Sequence, residues 1–238
     1  MSKSDIRHLQ IADYLIAQIK KGTYRIGDKL PSEHELCDKF QANHHIVRTA
    51  VARLINMGWI TAHQGKGAFV ISRPEVFPYQ LSARTGFSEN LKEKAVPHRG
   101  QLLHHDRRHP TQQECRYLNL ETHEFIYDLR IKRFINETPV SLSKTIICEK
   151  DIPNLENYLT NFKSLYKILS DHYRISPVRT KSIVQAILPN LEDVLMLQLP
   201  ENVPLVQIRS FANHPNGHPF EYTLSKMRSD TCHYVIDF

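Results

Sequence analysis

The stretch "QANHHIVRTAVARL", residues 41–54, decides the fold of the N-terminal part of the chain. Val47, Ala50, Val51 and Leu54 recur at i, i+3, i+4 and i+7, the spacing of a helix with one apolar stripe. Asn43, just ahead, suits an N-cap, because its side-chain oxygen can accept from one of the first free amides. The opposite stripe, at the same spacing, holds His45, Arg48, Thr49 and Ala52, with His44 beside them in the first turn. No carboxylate stands on this helix. A slim, donor-rich face of this kind is either ordinary solvated surface or a surface that meets an anion.

The flanking sequence decides between the two. Upstream, "SEHE" (32–35) has the serine and glutamate spacing of a capping box, so a short second helix opens there with Leu36 and Phe40 facing inward. Earlier still, Ala12, Leu15, Ile16 and Ile19 mark a helix over about residues 5–21, broken by Gly22, Gly27 and Pro31. Downstream, "GWITAHQGKGAFV" (58–70) reads as two strands around a Gly-Lys-Gly tip. Glycines let that tip approach another surface closely, and Lys66 puts a cation there. Three helices with a tight turn before the third, then a hairpin, make a winged helix-turn-helix. In that arrangement the third helix enters the major groove and the wing touches neighbouring phosphates or the minor groove.

The segments "GDKLPSEHELCDKF" (27–40) and "VRTAVARLINMGWITAHQGKGAFV" (47–70) resemble the DNA-binding domain of the GntR family of bacterial transcription regulators, over about residues 7–71. The resemblance implies DNA contacts from Arg48 and from the wing tip, Gly65, Lys66 and Gly67. His34, His44, His45, Thr49 and Gln64 complete the expected interface. The family often carries arginine where this chain has His34 and His44, and some members have a wing histidine in place of Gln64. Neutral histidine attracts phosphate less, which leaves operator sequence and affinity open.

The totals agree with a DNA-binding protein without requiring one. The 238 residues carry a net charge of +6, with a pI of about 9.1 and a mean hydropathy of −0.42. Hydrophobic residues make up 41%, enough for a real core. No apolar run approaches the ~18 residues that a membrane span requires, and "MSKSDIRHLQIADYL" lacks the apolar stretch of a signal peptide. Cys37, Cys115, Cys148 and Cys232 are scattered, which fits free thiols in a reducing cytoplasm.

Residues 72–85, "SRPEVFPYQLSART", hold Pro74 and Pro78 and little periodicity, so they read as a linker between a DNA-binding domain (1–71) and a second domain (86–238). Beyond it, strands are expected at "QLLHHD" (101–106), "FIYDLRIKRFI" (125–135), "PVSLSKTIIC" (139–148) and "VRTKSIVQAIL" (178–188). "PLVQIRSFA" (204–212) and "FEYTLSKMR" (220–228) form a hairpin, and "HYVIDF" closes the chain. Helices are expected at "SLYKILSDHY" (164–173), capped by Ser164, and "NLEDVLMLQL" (190–199), capped by Asn190. A faint repeat relates Leu120 to Leu199, Phe125 to Pro204 and Arg130 to Arg209 at an offset of 79, and Asn136 to Asn216 and Pro139 to Pro219 at 80. A duplicated helix–strand–turn–strand unit predicts a mostly antiparallel sheet with helices on one face, and the whole chain an α+β protein.

The pieces "GFSENL" (86–91), "RFINETPVSLS" (133–143), "LQLPENVPLVQIRSF" (197–211) and "NGHPFEYTLSKMRSD" (216–230) resemble the UTRA effector-binding domain of the HutC group of GntR regulators, with a chorismate-lyase-like fold. Within that group the phosphonate-utilisation regulators are the most similar. The resemblance implies an effector pocket. Arg133 matches an effector-contacting arginine; the family arginine two residues earlier is Ile131 here, with Arg130 or Lys132 as candidate substitutes. Ser143 stands where sugar-phosphate-binding members carry glutamate, which argues against the same hydroxyl-rich sugar. Thr85 and Ser88 belong to a loop supplying hydroxyls and amides, and Glu221, Tyr222 and Arg228 lie in the closing hairpin. A guanidinium fork suits phosphate or phosphonate oxygens.

"HHDRRH" (104–109) invites a metal reading, but only His104 and Asp106 would share a strand face, and a solvated strand end is the simpler expectation. The sequence shows no nucleophile elbow, phosphate-binding glycine loop or HExxH, so no catalytic residue, metal or cofactor is expected. The expected protein is a cytoplasmic transcription regulator, a repressor, binding an inverted-repeat operator as a homodimer and answering a small anionic metabolite. A phosphonate comes first, a sugar phosphate second. Two other classes compete: an enzyme fused to a DNA module, revealed by turnover of a ligand, and an architectural DNA-binding protein whose binding no small molecule alters.

Overall fold

A computed structural model describes the chain except residues 1–2, 73–75, 85, 93–95 and 238, and the side chains of residues 3–5 and 92. The chain divides into two units, Met1–Glu75 and Val76–Phe238.

The first unit contains α1 (Lys3–Lys20), α2 (Glu33–Phe40), α3 (His44–Asn56), β1 (Ile60–His63) and β2 (Gly67–Val70). Ser32 caps α2 in a complete capping box: its hydroxyl accepts from the Glu35 amide, and the Glu35 carboxylate accepts from the Ser32 amide at 2.7 Å. Asn43 caps α3 by accepting from the Ile46 amide at 2.9 Å. Between these helices Gln41 turns the chain in the left-handed region, φ 48°. One core joins Ile11, Ala12, Leu15 and Leu36 to Val47, Ala50, Leu54, Trp59 and Val70. β1 and β2 pair antiparallel, His63 opposite Gly67. Gly65 and Gly67 both have positive φ, so the tip is a turn that side chains beyond glycine would strain.

The second unit is built on a six-stranded antiparallel sheet of order β4-β5-β6-β9-β8-β7. Its strands are β4 (His98–Arg108), β5 (Ile126–Ile135), β6 (Thr138–Cys148), β7 (Val178–Ile187), β8 (Leu205–Asn213) and β9 (Pro219–Arg228). β3 (Phe77–Gln80) pairs in parallel with β10 (Cys232–Val235). The strand β3 lies inside the stretch read as linker. Its pairing with the chain's last strand, set by tertiary contact rather than local pattern, ties that stretch to the second unit.

The repeat takes physical form. α5 (Gln112–Leu118) and α7 (Leu191–Leu197) each start in a capping box and end on a left-handed residue. Thr111 and Asn190, Glu114 and Asp193, and Asn119 and Gln198 play the same parts, each pair 79 residues apart. The two halves meet where β6 pairs with β9. The expected placement of helices on one face is corrected. α5 and α7 bond to one face, through Asp128 and Lys226 and their partners. The segment from Leu155 to Ile168, including α6 (Leu165–Ile168), covers the other, where the Leu155 amide donates to the Tyr127 hydroxyl. A repeat that supplies helices to one face leaves the second face bare, and a unique insertion buries it. α4 (Phe87–Lys92) is a further short helix.

Candidate nucleic-acid interface and effector site

On α3 the apolar stripe is inward and the opposite stripe outward. Val47, Ala50 and Leu54 are buried, while His44, His45, Arg48 and Ala52 are exposed and Thr49 is half-buried. Thr49 donates its hydroxyl to the His45 carbonyl one turn back at 2.8 Å. His34 and His44 stack, with ring centroids 6.5 Å apart. The wing tip, Gln64 to Gly67, is exposed, and the Lys66 amide donates to the His63 carbonyl. One expectation changes. The face lacks carboxylates on its own helix, but Glu33 of α2 reaches across and accepts from Arg48 Nε at 2.8 Å. That contact raises the Arg48 pKa above its ordinary value, the Glu33 hydrogen bond and then its charge being responsible. It also gives the guanidinium an acidic partner on the exposed face of α3.

The second unit has an enclosed polar cluster on the sheet face that carries the Leu155–Ile168 segment. Strand register assigns the face: Arg133 pairs with Ser141 across β5 and β6, Ser143 with Ser225, Thr145 with Thr223, and Ile147 with Glu221 across β6 and β9. Partners across a sheet share a face. Arg133 Nη1 donates to Ser143 Oγ at 2.6 Å, and its Cζ lies 5.4 Å from the centre of the Phe87 ring. Thr223 donates to Glu221 Oε1 at 2.6 Å and bonds Thr145 at 2.8 Å. Tyr79 of β3 meets Tyr234 of β10 edge to face, with ring centroids 5.3 Å apart. Tyr166 closes the cluster, and the backbone at Gly86 runs so near it that an added Cβ would lie 3.1 Å from the ring.

Arg133 is surrounded by protein yet keeps some solvent-accessible surface. Burial lowers its pKa, opposed by Tyr79, Glu221, Tyr166 and Tyr234. Burial raises that of Glu221, opposed by the Thr223 and Tyr166 hydroxyls and by Arg179 and Arg133. Burial likewise raises Tyr79, against the charges of Arg179 and Arg133. A low-dielectric setting of this kind strengthens any charge that a guest brings in.

Of the eight residues expected at an effector, Arg133, Ser143 and Glu221 come together here. Ser88 lies half-buried in the first turn of α4, and Thr85 falls outside the described residues. Three are corrected. Arg130 is exposed on the opposite sheet face, 3.9 Å from Glu192, because residues three apart on a strand point oppositely; Lys132 shares that other face. Tyr222, next to Glu221, points away from the cluster and packs on Tyr117 and Phe211. Arg228 is buried, pairs with Asp230 and donates to the Leu197 and Gln198 carbonyls, which closes the end of α7. Ile131 is a core residue.

Tyr79, Tyr166, Arg179 and Tyr234 were missed. Their elements are distant in sequence, and only the alternation of β5 and β9 carried any signal for this face. "HHDRRH" is also corrected in part: Arg108 is no solvated end but bridges Glu114 at 2.8 Å and Asp128 at 2.7 Å, while Arg107 pairs with Glu149.

A family model described as "UTRA domain" matches residues 95–233, and one described as "Bacterial regulatory proteins, gntR family" matches residues 7–70. The chain is 28% identical over 234 residues to "Probable transcriptional regulator PhnF" of Escherichia coli K12, covering 97% of this chain and 95% of the other. It is 25% identical over 229 residues to "HTH-type transcriptional repressor NagR" of Bacillus subtilis, covering 96% and 93%. The crystal structure of PhnF from Mycobacterium smegmatis shares the fold, with TM-score 0.64 at 19% identity over 96% of this chain and 98% of that one.

Proposed function

The chain belongs to the GntR family of bacterial regulatory proteins and carries a UTRA domain, and on that premise we propose that it represses a metabolic operon, as a cytoplasmic homodimer on an inverted repeat, until a small anion releases it. It is a ligand-responsive, DNA-binding transcription regulator. The first unit reads DNA with His34, His44, His45, Arg48 and Thr49, and with the tip Gln64, Gly65, Lys66 and Gly67. The observation that carries the effector reading is Arg133: an arginine enclosed by protein, bonded to one serine hydroxyl and set beside the Phe87 ring, has donors to offer an oxyanion. Ser143 is already engaged with Arg133 rather than presenting a carboxylate to sugar hydroxyls, which favours a phosphonate over a sugar phosphate.

The dimer reading has its own support. A two-fold operator needs two reading helices, and Leu188, Leu191 and Leu195 at and within α7 are 66–74% exposed, the kind of apolar surface that a second copy covers. No step of this reading involves catalysis.

The test uses a mobility shift on DNA upstream of the protein's own gene, with a panel of phosphonates and sugar phosphates. At least one is expected to release the wild type. Arg133→Ala should hold the same DNA with unchanged affinity and no longer release it, because the reading helix lies in the other unit and only the ligand's differential binding is lost. Loss of DNA binding in that variant would make Arg133 a structural residue. Release at wild-type ligand concentrations would move the site elsewhere.

A further inference from the structure

The enclosed cluster holds more than one cation. Arg179 enters from β7, in the other half of the sheet, and sits in register with Ala212, itself opposite Glu221. Its guanidinium donates to the Ser82 carbonyl, and its amide donates to the Ala83 carbonyl at 2.8 Å, so its place is fixed by the chain just after β3. Arg133 and Arg179 both act electrostatically on Tyr79, Glu221 and Tyr234. Strand register puts Arg133 and Arg179 on the same face of the sheet, from its two halves, and Arg179 also lines a groove with Gln80 and Ser182.

Glu221 is the counterpart. It is 6% exposed, and while Thr223 donates to Oε1, Oε2 is buried with no hydrogen-bond partner among the described residues. The Tyr166 hydroxyl faces the same carboxylate. Neutral hydroxyls from Thr223 and Tyr166 satisfy a buried carboxylate only in part, so a guest that brings a charged donor is the natural complement. Charge points the same way. Two guanidinia and one carboxylate leave one positive charge, which a simple dianion over-neutralises. A dianion that also carries one ammonium balances it, and buried charges are tolerated when paired.

Resting on the reading that this cluster is the effector site, we propose that it takes a molecule bearing both a phosphate-like oxyanion, held between Arg133 and Arg179, and a protonated amine, held by Glu221. The aromatic hydroxyls of Tyr79, Tyr166 and Tyr234 line the space between. Burial pushes the empty Glu221 carboxyl upward, and an ammonium in contact restores its ionised form.

Calorimetry of the full chain with four probes tests this: 2-aminoethylphosphonate, ethylphosphonate, O-phosphoethanolamine and ethyl phosphate. Each amine-bearing probe is expected to bind on the order of 10-fold tighter than its amine-free counterpart, the scale of one charge-assisted hydrogen bond. The ranking of the phosphonate pair against the ester pair identifies which source of oxyanion the site prefers. Glu221→Gln should erase the amine preference, with the amine-free probes binding tighter once the carboxylate's repulsion is gone, while Arg179→Ala should weaken all four. Equal affinities within each pair in the wild type, a comparison that needs no variant to fold, would overturn the amine half. So would a preference that survives in Glu221→Gln. An Arg179→Ala protein that binds all four normally would remove Arg179 from the site. Arg133-dependent binding that ignores the amine sinks this proposal alone. If none of the four binds, the anion-effector reading falls as well.

Discussion

Arg48 and Arg133 carry the same group into opposite surroundings. The Arg48 side chain is 70% exposed and rests on one carboxylate, Glu33, at 2.8 Å. Arg133 is enclosed, with the Ser143 hydroxyl at 2.6 Å and the Phe87 ring centre at 5.4 Å. An exposed guanidinium is always hydrated and can exchange one anion for another at little cost, so its contribution to binding is broad and salt-dependent. An enclosed guanidinium meets an anion in a low dielectric, but only an anion whose shape fits the space. Under the proposed function, the first environment is the one suited to a long polyanion and the second to a small molecule.

Glu114 gives that contrast its largest measurable effect, because it shows what enclosure does to a charge whose partners are permanent. It is buried, bonded to Arg108 at 2.8 Å and within 3.7 Å of Lys144, while it also closes the capping box of α5. Burial alone would raise its pKa, but the Arg108 hydrogen bond, the Thr111 amide and the Arg108 charge outweigh it and hold the carboxyl at about 2. A carboxyl depressed below its ordinary 4.5 adds stability at any pH above that value, and the contribution fades as pH falls from 4.5 towards about 2. Glu114→Gln keeps an acceptor for the cap but removes the charge opposite Arg108 and Lys144. The expected loss is roughly 3 kcal/mol at pH 7, as for other broken buried pairs, and shrinks towards pH 3. Thermal melts at the two pH values check it. A loss independent of pH would mean that shape, not charge, holds the site.

The exposed side of the comparison predicts a smaller effect and no loss of fold. Arg48→Ala should melt like the wild type, since surface pairs such as Arg48–Glu33 contribute little. Its specific operator binding should fall on the order of 10- to 100-fold if Arg48 grips a base edge. Fluorescence anisotropy on operator and scrambled duplexes separates the cases. Equal weakening on both would make it a phosphate contact, and no weakening would mean that α3 does not face DNA.

The same contrast explains what could be read from the sequence. The donor-rich face of α3 lies within one helix, so a period of 3.6 exposed it, and Ser32, Glu35 and Asn43 marked the helix starts because capping is local chemistry. Only the Glu33 contact escaped, since it crosses between helices. The enclosed cluster draws on β3, β5, β6, β7, β9, β10 and α6. Alternation could say that Glu221 and Tyr222 face opposite ways, but not which of them joins the cluster. The repeat was visible in a few matching positions because two capping boxes and two left-handed ends recur at one spacing. The pairing of β3 with β10 left no trace, as parallel pairing of two segments so far apart in sequence has no local signature.

Lys66 predicts the smallest effect and probes the exposed limit of the contrast. It sits at the tip between Gly65 and Gly67, both at positive φ and both exposed. The tip can approach a backbone closely, yet it presents no side chain suited to reading a base edge there except Gln64. A lysine in that place behaves as a point charge against phosphate, and neutralising one phosphate releases about one counter-ion from the DNA. Lys66→Ala should therefore weaken operator and random DNA by the same factor, and the log–log slope of affinity against salt should fall by about one unit. Titrations from low to moderate salt on both duplexes measure it. A slope that does not move would place the tip clear of the backbone. A loss confined to the operator would give the wing a share in reading sequence, and the division between a broad exposed surface and a selective enclosed one would then run through the first unit itself.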